Sequence, residues 1–279
     1  MKLISQRYGK ARVRLLKVSR EGTRHDLKEI EASVMLEGNF DSTYTAGDNS
    51  LVVATDTMKN TVYALAKDQL GSEIERFACV VGNHFLSRYP QVSRATVRLA
   101  EHPWTRLMVD GHPHSHAFAE GNRARPFTEA ACGRDACVVE SGVEDLLILK
   151  STGSGFAGFI RDEFTTLPET KDRILATRMK AGWRFSSVPG DYAESNRRAL
   201  DAMLKVFATR HSASVQATLH DMAGAALEAV SEIDLIRLCM PNQHCLLVNL
   251  AAFEIENSNE IFVPTEEPHG QIEAVLSRA

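Results

Sequence analysis

No apolar run in this chain of 279 residues approaches the 18 or more that a membrane-spanning helix requires, which excludes a helical membrane protein. The N-terminal MKLISQRYGK lacks the apolar centre of a secretory signal. The C-terminal LSRA lacks the SKL tripeptide that addresses proteins to peroxisomes. An excess of positive charge is missing too. With 32 Lys+Arg against 36 Asp+Glu and a net charge of -4, the chain has no basic balance of the kind a nucleic-acid binder shows. Cysteines are few and odd in number: Cys79, Cys132, Cys137, Cys239 and Cys245. That count, without a signal peptide, predicts reduced thiols and a cytoplasmic location. Cys132 and Cys137 are too far apart in sequence for a zinc knuckle. The expectation is a cytoplasmic protein with neither nucleic acid nor membrane as partner.

What is present is ordinary globular material. Hydrophobic residues make up 44% and charged residues 24%, enough apolar content to offset chain entropy on folding. A chain of this length buries roughly three quarters of its unfolded surface, so it needs no covalent staples.

The patterning has two periods. Ile30, Ala32, Val34 and Leu36 alternate with Glu29, Glu31, Ser33 and Met35, and Val13 and Leu15 alternate with Arg12 and Arg14 over 11–19; both read as half-buried strands. A turn-rich stretch fills 38–50. Met58, Val62 and Leu65, then Ile74, Phe77, Ala78, Val81 and Phe85, recur at helical spacing. Strands follow at Ala95–Leu99 and over 107–118. The second half repeats the order, with strands at 145–150 and 177–188, helices around Leu200–Phe207 and Leu219–Val230, and strands at 232–240 and 245–253. Runs of strands with paired helices predict an antiparallel α+β fold with the helices on one sheet face. The polar stretch at 121–136 predicts the boundary between two similar units, 1–134 and 135–279.

Four features bear on chemistry. His112, His114 and His116 share one face of a strand; they offer either three zinc ligands or hydrogen-bonding groups at a strand edge, with Pro113 against strand regularity. ATDT at 54–57 opens the first of the paired helices. Thr55 or Asp56 there predicts either a simple N-cap or free N–H groups for an anionic ligand. Gln216 opens the corresponding helix of the second half, and its amide presents a donor and an acceptor together. The long polar segment 150–177 sets Phe156 between Gly155 and Ala157, leaving room for a flat ligand on its ring, and carries Arg173, a bidentate donor for an oxyanion. The alternatives are a core phenylalanine, a surface ion pair and a surface glutamine.

QRYGKARVRL at 6–15, VVATDTMKNTVYALAK at 52–67, the segment 150–177, SVQAT at 214–218 and MPNQH at 240–244, in this order and spacing, resemble the urate oxidase (uricase) family of the tunnelling-fold group. The resemblance implies two tandem tunnelling-fold units per chain and a homotetramer whose sheets close into barrels, with active sites between subunits. It implies conversion of urate, O2 and water to 5-hydroxyisourate and hydrogen peroxide, with no metal or flavin cofactor. On this likeness Phe156 stacks on urate, Arg173 and Gln216 clamp its polar edges, and Val215 offers its backbone. Asn242 holds the O2 or water position above the ring. Lys10, Thr55 and His244 form a proton relay, Lys10 and Thr55 coming from the neighbouring subunit, and Asp56 gives its backbone N–H. Two rivals stand beside this reading. One is a zinc-dependent pterin enzyme similar to the pyruvoyl-tetrahydropterin synthase group, which would use the three histidines. The other is a catalytically silent purine binder, against which intact Lys10, Thr55 and His244 argue.

Overall fold

Ile30, Ala32, Val34 and Leu36 are fully buried, so the alternation that predicts a half-buried strand is realised side chain by side chain. The computed structural model describes residues 1–278. It divides into two compact units, Met1–Gly142 with Arg184–Ala193, and Val143–Trp183 with the chain from Glu194 onward.

In the first unit β1 (Tyr8–Glu21) and β2 (Arg24–Gly38) form a hairpin whose two-residue turn places Gly22 at φ 60°. A short helix, α1 (Asp41–Ala46), lies in the stretch that reads as turns. Then come α2 (Thr55–Gln69) and α3 (Ile74–Arg88), β3 (Val92–Glu101), β4 (Trp104–Val109), β5 (His112–Glu120), β6 (Arg125–Cys132) and β7 (Cys137–Lys150), within which the division between units falls. The sheet order is β1-β2-β3-β6. The segment 107–118 is not one strand: Asp110 and Gly111 both take positive φ and turn β4 back on β5 as a separate ribbon. β6 occupies much of the polar stretch 121–136.

Helix α2 packs on β1 and α3 on β3 and β6. The buried face of α2 is Met58, Val62 and Ala66, with Leu65 only half-buried; α3 buries Phe77, Ala78, Val81 and Phe85. Each large side chain taken out of water contributes about 1.5–3 kcal/mol, so this apolar stripe rather than helix propensity holds the pair in place.

The second unit contains most of β8 (Leu175–Phe185) and of α4 (Tyr192–Thr209), with α5 (Val215–Ala229), β9 (Ile233–Cys239), β10 (Asn242–Leu247), β11 (Phe262–Gly270) and β12 (Glu273–Ser277). β8 pairs with both β9 and β10, β10 pairs with β11, and β9 pairs with β12. Met179, Met203, Leu219, Met222 and Ala226 are buried, and Trp183 Nε1 donates to Asn196 Oδ1 at 2.8 Å. The helical and strand readings of this half hold, except that 245–253 leaves the sheet after Leu247 and closes in a 3-10 turn at Ala251–Phe253. The ladders β1·β2, β2·β3, β3·β6, β4·β5, β8·β10, β9·β12 and β10·β11 are antiparallel, which gives the α+β class predicted. Among the described residues no helix is long and apolar enough to cross a membrane.

The five-thiol expectation needs correction. Gly133 N–H donates to Ala136 O, and this tight turn sets Cys132 and Cys137 opposite each other, joined as a disulfide. Cys79 on α3 lies beside them, all three sulfurs within 4.8 Å of one another. Burial pushes the Cys79 thiol up to about 11. Since only the thiolate attacks, Cys79 is expected to alkylate with iodoacetamide at least tenfold more slowly in the folded protein than in denaturant. Equal rates by mass spectrometry would contradict its burial.

Candidate active site

Lys10 sits where β1 is irregular. The register with β2 shifts between Lys10 and Val13, and Arg12 takes φ 59°, so the strand turns its direction just after the lysine. Gly9 permits the close approach: a Cβ there would lie 1.8 Å from Val34 O. Gly9→Ala is therefore expected to cost at least about 1–3 kcal/mol, as overpacking does, measured as a lower unfolding midpoint. An unchanged midpoint would show that the strand gives way freely. Tyr8 Oη accepts the Val53 N–H at 2.8 Å and packs edge-on against Phe40, tying β1 to the segment that enters α2.

Thr55 and Asp56 are not caps. The N-cap is Ala54, with no side-chain cap bond, so Thr55 and Asp56 are the first two residues inside α2. They stand where first-turn N–H groups lack intrahelical acceptors. The Asp56 carboxylate instead takes Lys59 and Asn60. Its pKa is lowered chiefly by Lys59, with smaller help from Asn60 and Lys10. Lys10 is thus near enough to the start of α2 for its charge to be felt there. Thr55 is exposed and Lys10 half-buried.

In the second unit a ladder of backbone bonds joins the segments of Phe156 and Arg173 to the approach to α5. Phe156 and Thr170 exchange both N–H···O bonds, at 2.8 and 3.0 Å. Arg173 N–H donates to Ser154 O at 2.7 Å, Gly155 N–H to Ser212 O at 2.8 Å, and Ser212 N–H to Gly153 O at 2.8 Å. Segment 153–156 therefore lies between 170–173 and 212, and three residues beyond Ser212 begins α5 with Val215 and Gln216. Ser214 caps that helix, its Oγ accepting the Ala217 N–H at 3.1 Å. Ser214→Ala is expected to cost about 1 kcal/mol, read as a drop in the denaturant midpoint; no drop would mean that the cap is idle.

The Arg173 guanidinium lies over the Phe156 ring, 5.4 Å from its centroid, and Phe156 stacks on Phe159 at 4.9 Å. Burial lowers the Arg173 pKa from its ordinary value, yet a guanidinium stays charged in proteins. Its Nε is buried without a hydrogen-bond partner among the described residues. Arg173, Asn242 and His244 line one cleft of about 770 Å³, also bounded by Thr170 and Asp172. Phe156 and Gln216 do not line that cleft; Val215 is buried and Gln216 exposed. Asn242 is paired with Thr177 of β8, and His244 with Thr265 of β11.

The predicted residues thus fall into two groups. Lys10, Thr55 and Asp56 belong to the first unit, and Phe156, Arg173, Val215, Gln216, Asn242 and His244 to the second. Sequence reasoning passed over the polar side chains that hold the ladder, Thr152, Asp172, Ser212 and Ser214, because an Asp or Ser in a polar loop carries no periodic signal. The histidines of β5 form a chain of contacts: His114 and His116 rings are 4.6 Å apart, His116 N–H donates to His114 Nδ1 at 3.3 Å, and His25 lies 5.7 Å from His116.

The fold is thus antiparallel α+β, with the half-buried Arg173 guanidinium over the Phe156 ring and on the same cleft as Asn242 and His244. The family model described as Uricase matches residues 6–131 and 139–273. The chain is 41% identical over 272 residues to the uricase of Arthrobacter globiformis, covering 97% of this chain and 88% of that one. It is 38% identical over 280 residues to the uricase of Dictyostelium discoideum, covering 99% and 98%. The crystal structure of the Arthrobacter globiformis uricase superposes with a TM-score of 0.94 at 39% identity, over 100% of this chain and 95% of that one. Urate oxidase of Bacillus sp. TB-90, at 23% identity and a TM-score of 0.84, shares the fold. The chain belongs to the uricase family.

Proposed function

We propose that this chain oxidises urate with O2 and water to 5-hydroxyisourate and hydrogen peroxide, a step of purine degradation, without metal or flavin. The observation that carries the reading is Arg173: a half-buried cation over an aromatic ring, its Nε without an acceptor among the described residues. Buried donors are rarely left unpaired, and the polar edge of a urate anion lying on Phe156 supplies what this one needs. Gln216 and the backbone of Val215 take the opposite edge, and Asn242 holds the O2 or water position.

Triplet O2 reacts slowly with closed-shell molecules, but a urate dianion is electron-rich enough to give up one electron directly. The protein's tasks are then to remove a proton with a placed base and to stabilise charge on the ring. Lys10 is the base, Thr55 relays the proton, and His244 moves protons or places water, since an imidazole ring offers both a donor and an acceptor nitrogen. Asp56 donates its N–H from the first turn of α2, where the helix dipole favours an anion.

Lys10, Thr55 and Asp56 serve a site completed by the second unit of a neighbouring chain, in a cytoplasmic homotetramer of paired tunnelling-fold units. Barrel closure between chains would remove the sheet edges that an isolated chain exposes. Complementation tests the arrangement. Lys10→Met and Arg173→Ala chains, each nearly inactive alone, are expected to regain activity when co-expressed. Random mixing restores about a quarter of the sites if each site takes its residues from two chains. No recovery in verified mixed tetramers would place Lys10 and Arg173 in a site within one chain.

A further inference from the structure

We infer that Asp172 is a positioning residue for urate binding: its carboxylate folds segment 151–156 onto 170–173, setting the Phe156 ring and the Arg173 guanidinium in one binding geometry. The inference rests on the site reading above. Asp172 Oδ1 accepts the N–H groups of Gly153 at 2.7 Å and Ser154 at 3.4 Å, and Oδ2 accepts Thr152 Oγ1 at 2.6 Å. Its carbonyl accepts Thr170 Oγ1 at 2.7 Å. One residue thereby grips three consecutive positions of the facing segment and one of its own.

The turn is shaped for this grip. Gly153 takes φ 76°, and a Cβ on Gly155 would meet the carbonyl oxygens of Thr170 and Lys171 at 3.1 Å. The next residue after Asp172 is Arg173, whose N–H holds Ser154 O; two residues after Ser154 comes Phe156, bonded to Thr170. A shift of the clasp therefore moves the ring and the cation together. Asp172 is exposed, and water competes for an isolated surface bond. Here a carboxylate engages three donors at once, and charge-assisted bonds of this kind are the strong ones. The donors lower its pKa, Thr152 most and Gly153 next.

The same bonds solve a problem of charge. A carboxylate next in sequence to a guanidinium could neutralise it. Among the described residues no ion pair joins Asp172 to Arg173, and the Asp172 oxygens are taken up by Thr152, Gly153 and Ser154. The Arg173 Nε is left for another acceptor.

The test is a set of variants of the full-length enzyme, Asp172→Ala, Asp172→Asn, Thr152→Val, Arg173→Ala and the double Asp172→Ala/Arg173→Ala. Each is titrated calorimetrically with the unreactive analogue 8-azaxanthine and assayed for kcat and KM. Misplacement of about 1 Å costs up to about a hundredfold, so Asp172→Ala is expected to weaken the analogue about ten- to hundredfold and to raise KM. Asn keeps an acceptor for Gly153 and a donor for Thr152 Oγ1, and is expected to stay within about fivefold of wild type, since it loses the charge and not the bonds. In the double variant, removing Arg173 is expected to add little, because the arginine is already misplaced.

Wild-type affinity in Asp172→Ala, or in Thr152→Val should Asp172→Ala fail to fold, overturns the inference. Fully additive losses in the double variant overturn it as well, since the two residues would then act separately. Wild-type affinity in Arg173→Ala is a different failure: it removes the site reading, and the inference falls with it.

Discussion

Lys10→Met is expected to lower kcat by about 10²–10⁴-fold, the range that general acid–base help supplies, while binding of an unreactive analogue changes little. The structure gives Lys10 the setting such a role needs. It lies half-buried on β1 beside a bulge that Gly9 makes possible, with its charge felt at Asp56 in the first turn of α2. Methionine keeps the length and the apolar stem and removes only the group that exchanges a proton. The strand, the bulge and the oligomer are expected to survive. A loss confined to kcat, with analogue affinity kept, separates a lost base from a damaged fold. Near-normal kcat removes Lys10 from the mechanism.

Arg173→Ala and Gln216→Ala are expected to weaken 8-azaxanthine by about one to two decades each, the equivalent of about 1.5–3 kcal/mol for a lost hydrogen bond to a charged ligand. The larger effect belongs to Arg173. Its guanidinium stands over Phe156, and its buried Nε has no hydrogen-bond partner among the described residues, so its truncation removes both charge and a cation–ring contact. Backbone bonds carry the ladder around it, Arg173 N–H to Ser154 O included, and these remain after truncation. The unfolding midpoint should therefore move little. Calorimetry checks the pair, and unchanged binding in both variants contradicts the assigned pocket.

Period carried the fold through the sequence where one face is dry and the other wet. β2 is legible because Ile30, Ala32, Val34 and Leu36 are all buried while their neighbours are less so, and α3 because Phe77, Val81 and Phe85 keep helical spacing on a buried face. β11 and β12 were not legible. They are mostly exposed, and Pro264 and Pro268 punctuate β11 as a turn would. The ribbon of β4 and β5 reads as a single strand because its turn is only Asp110 and Gly111. The disulfide was missed because a turn of four residues, not a spacing rule, sets Cys132 against Cys137.

The candidate site divides in the same way. Side chains with unusual chemistry for their place, Arg173 and Phe156 in a polar excursion or Gln216 at a helix start, are visible as residues. Their grouping is not: segments 153–156, 170–173 and 212 are brought together by backbone bonds, which leave no trace in composition. The roles of Lys10, Asn242 and His244 came from likeness to a family. A lysine on a strand or an Asn-Gln-His run has no period or spacing of its own to mark it.

The central claim is that urate alone, at this protein site, reduces O2. The measurement is simultaneous urate consumption, O2 uptake and hydrogen peroxide release by protein stripped with a strong chelator and verified metal-free by elemental analysis. Urate, O2 and water balance to 5-hydroxyisourate and peroxide, so the account predicts equal molar urate loss, O2 uptake and peroxide release, at the rate of untreated enzyme. Stripped protein that leaves urate untouched and regains activity only when zinc is returned would contradict it, and would turn attention to the histidines of β5.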